Sequence, residues 1–479
     1  MTAMLQPLWD QLCRSGRLID APSGVEYRLP DALPRVVAGL VAAGVKPHDR
    51  VVVVSPILAE VGLVFLATLA IGAVVVPVEP AKAQAACDAL QPALIWAPKA
   101  GALKKITTDC PKQHGLESLF KEARQPPYYP HTPKDLLALI ATSGSTGEVK
   151  WVRINALNLM TNGGDIIITQ SLAADDRAML VLPLSYCYGI SLFISHLLVG
   201  GDVVFDSRFM FADKVLTAIA EQGCTSFAGV PTHYRFLDQR SSLAEIAMPS
   251  LRRFLQAGGP LDAESIQSIR SKQPRADFYV MYGQTEATAR LTTLNPCDLD
   301  RKLGSAGQPL PHVELKIDPM EGMEQGVGEV LARGDSITGG YWGLKEAAYL
   351  DEGWLRTGDI GLLDDEGFLW LRGRKAEFVK MGGYRVALGA VESWLAQQPG
   401  HRGAAAIGVP DPLADEALRI AMVPEGAQDR AAMEAQLRIN MPNNWVLEKL
   451  LFVEQLPINE RGKLMRGELR QMLLDTKHG

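Results

Sequence analysis

Cysteine is scarce, and the six cysteines of the 479-residue sequence lie far apart. No CxxC pair occurs, and no cysteine–histidine cluster has the spacing of a zinc site. This usage excludes a disulfide-rich secreted domain and indicates free thiols in a reducing compartment. The first residues contain an early aspartate and no long apolar stretch, so they do not resemble a secretory signal. We therefore expect a cytoplasmic protein.

A strong net charge is also missing. The 48 Lys and Arg residues nearly balance the 54 Asp and Glu residues, which leaves a formal charge of −6. This balance gives no global electrostatic attraction to nucleic acid or anionic lipid, and no nucleic-acid partner is expected. With 47% hydrophobic and 21% charged residues, a largely disordered chain is excluded as well.

Long hydrophobic runs are almost absent, and one stretch needs a test against membrane insertion. Residues 61–78 contain 18 residues without a charge, whereas a membrane span needs ~20 apolar residues. The first half of the stretch is typical of a buried helix and the second half of a short buried strand. Gly72 lies between the halves. We expect a helix-and-strand unit here and no transmembrane segment.

Short apolar runs recur at helix-length intervals over the first 300 or so residues. This pattern predicts parallel strands joined by crossover helices. After that, glycines and acidic turns become dense, which predicts antiparallel hairpins, and the tail returns to mixed helices and strands. The predicted fold is α/β. It has a large N-terminal region of mixed, mostly parallel sheets with a β-rich subdomain (residues 1–374), and a small α+β C-terminal domain (residues 375–479).

Residues 142–150, with the sequence TSGSTGEVK, directly follow one of these apolar runs. Glycines let backbone N–H groups approach an anion, hydroxyls donate hydrogen bonds, and lysine supplies charge. The segment favours a phosphate-binding loop over an ordinary Ser/Gly loop. No GxxxxGK[ST] or GxGxxG motif occurs, so it is neither a Walker A loop nor a dinucleotide fingerprint. The candidate phosphate-binding residues are Thr142, Ser143, Gly144, Ser145, Thr146, Gly147 and Lys150.

The same loop resembles that of the adenylate-forming, AMP-binding superfamily, which includes acyl-CoA synthetases, stand-alone adenylation enzymes and firefly-type luciferases. Five further motifs of this superfamily follow in the family's order: GGPL at 258–261, YGQTE at 282–286, TGD at 357–359, GRKAEFVKMGG at 373–383 and PINERGKLMR at 457–466. Together the motifs extend over about two-thirds of the chain. The resemblance implies that the C-terminal domain is mobile, with a pivot near residues 374–376.

The resemblance also implies roles for single residues. Glu286 would hold Mg²⁺ on the ATP phosphates, a site suited to carboxylate oxygen. Lys463 would be catalytic, as the cation that bridges the attacking carboxylate and the α-phosphate. Tyr282 would stack on the adenine, and Asp359 would bind the ribose hydroxyls. The full set of nucleotide-binding residues would be Gly258, Gly259, Pro260, Tyr282, Gly283, Gln284, Thr285, Asp359 and Arg374.

Two departures from the family pattern limit this interpretation. Val149 and Trp151 stand where the phosphate loop usually has proline and glycine, so the loop is less constrained although Lys150 remains. At the hinge, Ala376 replaces the usual Asp or Lys. A specific hinge hydrogen bond from that side chain is therefore not expected, while rotation itself is unaffected.

Residues 183–189 resemble the family segment that lines the acid pocket. Amino-acid-activating relatives have an aspartate here that pairs with the substrate ammonium, and Cys187 occupies that place. A thiol cannot form this pair, so the predicted substrate is a carboxylic acid without an α-amino group. Cys187 itself is expected to be a small buried apolar residue. The predicted pocket wall consists of Tyr186, Cys187, Val230, Gln256 and Gly258.

The predicted function is ATP-dependent activation of the acid to an acyl-AMP, followed by transfer to a thiol, preferentially that of coenzyme A. The alternative acceptor is the phosphopantetheine arm of an acyl or peptidyl carrier protein, and Gly382 and Gly383 would leave room for either arm. Nothing in the sequence indicates luciferase-like oxidation, and Glu286, Asp359 and Lys463 together argue against a non-catalytic nucleotide-binding protein. Residues 334–337 (GDSI) resemble a carrier attachment site, but their context predicts a turn.

Overall fold

The computed structural model describes residues 16–120, 128–143, 149–344, 350–381, 384–442, 445–458 and 464–475. The chain forms two compact units. The first contains the described parts of Met1–Gly144, Glu148–Glu314 and Ala332–Leu355, and the second those of Leu315–Leu331 and Arg356–Gly479. The boundary between residues 374 and 375 stays a prediction.

The strands of the described residues are, in chain order, β1 (Arg17–Asp20), β2 (Val25–Arg28), β3 (Arg50–Val54), β4 (Val74–Val78), β5 (Leu94–Ala97), β6 (Lys112–His114), β7 (Leu136–Ser143), β8 (Val149–Asn155), β9 (Arg177–Leu180), β10 (Asp202–Phe205), β11 (Ser226–Gly229), β12 (Arg253–Gln256), β13 (Asp277–Tyr282), β14 (Thr292–Leu294), β15 (Gln308–Pro309), β16 (Val313–Pro319), β17 (Gly328–Gly334), β18 (Leu350–Asp351), β19 (Trp354–Leu363), β20 (Leu369–Arg374), β21 (Phe378–Met381), β22 (Tyr384–Ala387), β23 (His401–Asp411), β24 (Asp415–Pro424) and β25 (Leu447–Phe452).

The helices are α1 (Leu29–Ala42), α2 (Ala59–Ala70), α3 (Ala83–Leu90), α4 (Ala156–Gln170), α5 (Cys187–Leu198), α6 (Ala212–Glu221), α7 (Pro231–Arg240), α8 (Ala263–Lys272), α9 (Pro296–Leu299), α10 (Leu388–Leu395), α11 (Arg430–Asn440) and α12 (Arg466–Asp475).

Two large sheets organise the first unit. The nine-stranded sheet has the order β15-β14-β13-β12-β11-β9-β10-β1-β2, and its central strands from β13 to β1 run parallel. The six-stranded sheet has the order β6-β5-β3-β4-β7-β8 and is parallel except for the hairpin of β7 and β8. The predicted mostly parallel α/β architecture is confirmed.

The apolar stretch at 61–78 folds as the sequence predicts. Helix α2 ends at Ala70, Gly72 has a φ of +77°, and β4 begins at Val74. A Cβ on Gly72 would lie 2.4 Å from the Tyr129 ring, so both the backbone conformation and the available space require glycine. Within the described ranges, no helix has the length and apolarity needed to cross a membrane.

Antiparallel pairing dominates after residue 312. A five-stranded sheet contains β16, β17, β19 and β18 in that order, with β20 antiparallel to β19. In the second unit, β22, β21, β24 and β23 form another sheet, and β25 joins β24 in parallel. Helices α10 and α11 pack on it around Val391, Leu418, Ile420, Leu437 and Leu450. The predicted small α+β C-terminal domain is confirmed.

The parallel strands bring several candidate site residues to one edge of the nine-stranded sheet. Strands β9, β11, β12 and β13 run parallel, so their carboxyl ends lie at the same edge. The chain leaves these four ends toward Tyr186, Val230, Gly258 and Gly283, respectively. Ligands of open α/β sheets bind beyond the carboxyl ends of the strands, so this edge is the expected place of the ligand site.

Candidate active site

The described ends of the candidate phosphate loop lie on two paired strands. Strands β7 and β8 pair antiparallel, with Thr142 opposite Lys150 and Ser143 opposite Val149. Two predicted phosphate ligands, Thr142 and Lys150, therefore flank the loop on neighbouring strands. For Ser143 only the backbone is described, and the other predicted ligands, Gly144, Ser145, Thr146 and Gly147, lie outside the described residues.

Lys150 is connected to Glu286 through Tyr341. The Lys150 Nζ lies 5.2 Å from the centroid of the Tyr341 ring, and the Tyr341 hydroxyl donates a 2.8 Å hydrogen bond to Glu286 Oε1. The chain around Tyr341 follows β8: Tyr341 forms an antiparallel bridge with Val152, and the Trp342 N–H donates to the Trp151 carbonyl at 2.8 Å. The structure thus joins the phosphate-loop hairpin to the YGQTE segment.

A tight turn holds Glu286. Thr285–Ala287 form one turn of 3-10 helix, and Thr288 and Ala289 follow with φ values of +55° and +98°. Positive φ in two consecutive non-glycine residues is strained backbone, which clusters at functional sites. The Thr338 N–H donates a 2.9 Å hydrogen bond to the Glu286 carbonyl. A Cβ on Gly283 would lie 1.7 Å from the Ala289 carbonyl oxygen, so the turn requires glycine there.

Glu286 fits a magnesium ligand in its chemistry and surroundings. The carboxylate is partly exposed, and Tyr341 occupies Oε1, while no hydrogen bond from a described residue reaches Oε2. Mg²⁺ is held in nucleotide sites by one or two carboxylates together with phosphate oxygens and water. In the described part of the chain, no group of three or more His, Cys, Asp or Glu side chains could hold a metal ion.

The GGPL segment lies against the predicted pocket wall. Gly258 and Gly259 have φ values of +87° and +157°. A Cβ on Gly258 would lie 2.8 Å from the Tyr186 hydroxyl oxygen and 3.0 Å from Val230 Cγ1. The Gln256 Nε2 donates a 2.7 Å hydrogen bond to the Gly259 carbonyl. The structure therefore brings these predicted wall residues together.

Cys187 is the first residue of α5 and is 7% exposed. The Thr285 hydroxyl donates to its sulfur at 3.2 Å, which connects the pocket wall to the YGQTE turn. Burial raises the pKa of the Cys187 thiol to about 11. Burial also raises the pKa of the neighbouring Tyr186 hydroxyl. Both groups are neutral at physiological pH, so this wall offers no negative charge to an ammonium group.

Two nucleotide-binding candidates of the second unit are paired across a hairpin. Asp359 on β19 lies opposite Arg374 on β20, and Arg374 Nε is 2.8 Å from Asp359 Oδ1. The Thr357 hydroxyl accepts the Asp359 N–H at 3.1 Å and donates to the Val330 carbonyl at 2.7 Å, which fixes the TGD turn. Gly358 has a φ of +70° in this turn.

Three predicted residues of the second unit, Lys463, Gly382 and Gly383, lie outside the described residues. The chain on either side of residues 459–463 is paired, because Ile458 and Leu464 form an antiparallel bridge.

Residues 334–337 form a turn, as predicted. The Ile337 N–H donates to the Gly334 carbonyl at 3.0 Å, and Ser336 is 0% exposed. A carrier attachment serine must be accessible to a modifying enzyme, and Ser336 is not.

Sequence reasoning missed two residues of this region, Tyr341 and Arg290. Tyr341 lies in a glycine-rich stretch that predicts only hairpins, and its contact with Glu286 spans 55 residues. Arg290 follows the YGQTE motif at position +4 from Glu286 and is 3% exposed. A charged residue in the apolar run ARLTTL was the signal for Arg290, whereas no local signal marks Tyr341.

Comparison with known proteins identifies the family. A model described as AMP-binding enzyme matches residues 28–342, and one described as AMP-binding enzyme C-terminal domain matches residues 390–463. Feruloyl-CoA synthase from Amycolatopsis sp is 30% identical over 461 residues, which cover 91% of each chain. Indoleacetate–CoA ligase from Aromatoleum aromaticum is 31% identical over 384 residues, 77% of this chain and 74% of the relative.

A solved structure supports the same assignment. ATP-bound MatB from Rhodopseudomonas palustris is 25% identical and superposes with a TM-score of 0.83, over 98% of this chain and 99% of that one. The chain therefore belongs to the AMP-binding enzyme family. It is an acid–thiol ligase.

Proposed function

We propose that this enzyme is an AMP-forming CoA ligase that acts on a carboxylic acid without an α-amino group. The observation that carries the proposal is the connection from Lys150 through Tyr341 to Glu286, because it joins a lysine beside the phosphate loop to a carboxylate suited to Mg²⁺. The relatives named above, which are CoA ligases, support the same chemistry.

In the first half-reaction, an oxygen of the substrate carboxylate attacks the α-phosphorus of ATP. The bond from this phosphorus to the pyrophosphate oxygen breaks, and pyrophosphate leaves. Thr142, Lys150 and the loop between β7 and β8 bind the phosphates, and Glu286 would hold Mg²⁺, which would neutralise part of the phosphate charge. Tyr282 and the GGPL segment bind adenine. Lys463 brings a positive charge to the two anions that must meet.

In the second half-reaction, the thiol sulfur attacks the acyl carbonyl carbon, loses its proton and displaces AMP. The thiol reaches the acyl-AMP past Gly382 and Gly383, and the C-terminal domain changes its position between the two steps. Asp359 hydrogen-bonds to the ribose hydroxyls and Arg374 contacts the ribose or phosphate. Their ion pair is compatible with these roles, because Arg374 is half-exposed and can turn toward a bound nucleotide.

The neutral wall at Cys187 supports the exclusion of α-amino acids. A buried ammonium needs an anionic partner, and a thiol with a pKa of about 11 cannot supply one. The acceptor is proposed to be coenzyme A rather than a carrier protein, and a cytoplasmic location is proposed with it.

The test measures the half-reactions separately. Pyrophosphate exchange over a panel of aromatic, aliphatic and α-amino acids reports acyl-AMP formation. Thioester formation is then measured with coenzyme A and, in parallel, with a phosphopantetheinylated carrier protein. We expect exchange with acids that lack an α-amino group and transfer to coenzyme A. Exchange restricted to α-amino acids, or transfer to the carrier protein alone, would contradict the proposal.

The substitution Glu286→Gln tests the metal site. Removing one of the few negative ligands should raise the Mg²⁺ concentration at half-maximal exchange about tenfold or more, without loss of folding. Glu264→Gln is the matched control, since Glu264 is exposed in the first turn of α8. Equal Mg²⁺ dependence in the two variants would show that Glu286 is not a ligand.

A further inference from the structure

Arg290 is a buried cation without an anionic partner. Its side chain is 3% exposed, and no carboxylate of the described residues forms an ion pair with it. Its described contacts are with neutral groups: Nη1 contacts the Met281 sulfur, and Cζ lies 5.4 Å from the centroid of the Tyr188 ring. Burial lowers the pKa of Arg290, yet an arginine stays charged in proteins.

Another buried arginine of the same unit has the anionic partner that Arg290 lacks among the described residues. Arg253 is 7% exposed and lies 2.7 Å from the Asp176 carboxylate. Burying a charge costs free energy unless a partner of opposite charge compensates it. Arg253 has this compensation from the protein itself, whereas Arg290 has none among the described residues. A ligand that brings an anion would supply it.

The surroundings of Arg290 are the predicted acid pocket. The ring centroids of Tyr188 and Tyr186 are 6.2 Å apart, and the Tyr186 hydroxyl lies against Gly258. After burial, the groups that affect the pKa of Arg290 are Tyr188, Cys187 and Tyr186. Two of these three residues belong to the predicted pocket wall.

Arg290 and the turn that holds Glu286 contact the predicted pocket wall at different residues. Glu286, next to the Thr285 that contacts the Cys187 sulfur, marks the phosphate end of this pocket. Arg290 instead lies over the ring of Tyr188, with Cζ 5.4 Å from the ring centroid. Cys187 and Tyr188 are neighbours in α5, so this wall contacts the Glu286 turn at Cys187 and contacts Arg290 at Tyr188, and the carboxylate that reacts with ATP would bind on the Glu286 side.

We propose that Arg290 is a specificity-determining residue that binds a second carboxylate of the acid substrate, at the end remote from the carboxylate that becomes adenylated. The guanidinium can hold a carboxylate with two parallel hydrogen bonds, which gives both charge compensation and orientation. This inference rests on the proposed function, because it requires an acid that binds for adenylation. It narrows the substrate class to dicarboxylic acids.

The experiment compares matched acids in pyrophosphate exchange. Each dicarboxylic acid is paired with the acid in which methyl replaces one carboxyl group. The dicarboxylic acids are a straight-chain series from malonate to suberate and an aromatic set with terephthalate and 4-carboxycinnamate. For the aromatic acids, a hydroxyl counterpart is included. We expect wild-type kcat/KM to favour at least one dicarboxylic acid over its counterparts by about tenfold or more.

The variant Arg290→Met keeps an unbranched apolar side chain, shorter than that of arginine, and removes the charge. We expect it to lose about a hundredfold in kcat/KM for the preferred dicarboxylic acid, the scale for removing one partner of a buried charge pair. The methyl counterpart should react at least as well as with wild type. Arg240→Met, at the exposed end of α7, is the matched control and should leave the ratio unchanged.

Melting temperature and ATP binding by calorimetry report whether the Arg290 variant is folded. If the Arg290→Met variant is not folded, the wild-type ratios still test the proposal. The variant Arg290→Lys, which keeps the charge without the planar fork of hydrogen-bond donors, tests it as well. A wild type that prefers the methyl or hydroxyl member of every pair overturns the assignment. Equal losses for both members in a folded variant also overturn it, since they indicate a packing role. Exchange with no acid of any class would instead contradict the proposed function.

Discussion

Tyr341 connects two parts of the candidate active site that are distant in sequence. Its ring lies near Lys150 and its hydroxyl donates to Glu286 Oε1. A hydrogen bond to a metal-binding carboxylate orients the carboxylate, and the loss of such a partner lowers metal affinity or activity by ~10–100-fold. If Glu286 holds Mg²⁺ as proposed, Tyr341 is a positioning residue for it.

The substitution Tyr341→Phe separates the hydroxyl from the ring. We expect the Mg²⁺ concentration at half-maximal pyrophosphate exchange to rise about tenfold, because Glu286 loses its donor while the ring near Lys150 remains. The melting temperature should change little. Tyr27→Phe is the matched control, as Tyr27 lies on β2, remote in sequence from both Lys150 and Glu286. An unchanged Mg²⁺ dependence would show that the hydroxyl does not position Glu286.

Cys187 should be chemically inert, although it lies in the pocket wall. Its thiol is buried and its pKa is about 11, so at pH 8 only about one molecule in a thousand carries the reactive thiolate. Cys297 is exposed. With iodoacetamide at pH 8 we expect Cys297 to be labelled much faster than Cys187, as followed by peptide mass spectrometry. Raising the pH toward 10 should increase Cys187 labelling. Similar rates at both cysteines at pH 8 would contradict the buried, neutral thiol.

At the scale of elements, the turn after β13 determines where Glu286 points. A Cβ on Gly283 would lie 1.7 Å from the Ala289 carbonyl oxygen, so Gly283→Ala must displace the turn. We expect a loss of exchange activity of about a hundredfold or more, together with a lower melting temperature, because backbone atoms rather than a flexible side chain must move.

Gly164→Ala is the matched control for Gly283→Ala. Gly164 lies inside α4, and a Cβ there would meet nothing within 4 Å. Alanine should stabilise this helix by about 0.5–1 kcal/mol without affecting activity. Urea unfolding and exchange assays on both variants check the pair. Full activity of Gly283→Ala would show that the turn tolerates displacement.

Local patterns are sufficient to predict most of the elements around the site. Alternation of apolar runs and helix-length segments predicts the parallel strands, and Gly72 separates α2 from β4 as expected. The motif at 142–150 predicts a loop, and the structure adds that its two sides pair as a hairpin. The pairing partner of a strand depends on the whole sheet, so the sequence of the loop does not contain it.

Contacts between distant segments explain what sequence reasoning missed. Tyr341 reaches Glu286 only because residues 340–342 follow β8, a pairing that no local pattern indicates. Arg290 is conspicuous only when burial is known, since the same arginine on a surface would need no partner. The wall of Tyr186, Val230 and Gly258 was predicted from the resemblance, and the structure places each of them after the carboxyl end of a parallel strand.

At the scale of the whole molecule, one enzyme must carry out two unlike reactions. Acyl-AMP formation needs positive charge where two anions meet, whereas thioester formation needs an open path for the thiol. A catalytic lysine on a mobile domain satisfies both needs, since it can act in the first step and then leave. Within the second unit, Arg466 binds Glu377 at 3.1 Å and Glu392 at 2.9 Å, which ties the start of α12 to the segment near the proposed pivot. These contacts would keep α12 and this segment together in the proposed domain movement.

The substitution Lys463→Ala tests this division of labour. We expect acyl-AMP formation to fall about a hundredfold or more, the scale for removing a preorganised charge contact. Transfer from synthetic acyl-AMP to coenzyme A should be much less affected, because the lysine is not needed once pyrophosphate has left. Lys449→Ala, on β25 of the same domain, is the matched control and should leave both rates near wild type. The two rates are measured separately in single-turnover experiments. Equal losses in both half-reactions would mean that Lys463 acts in one shared arrangement, and the domain would then not need to move between the steps.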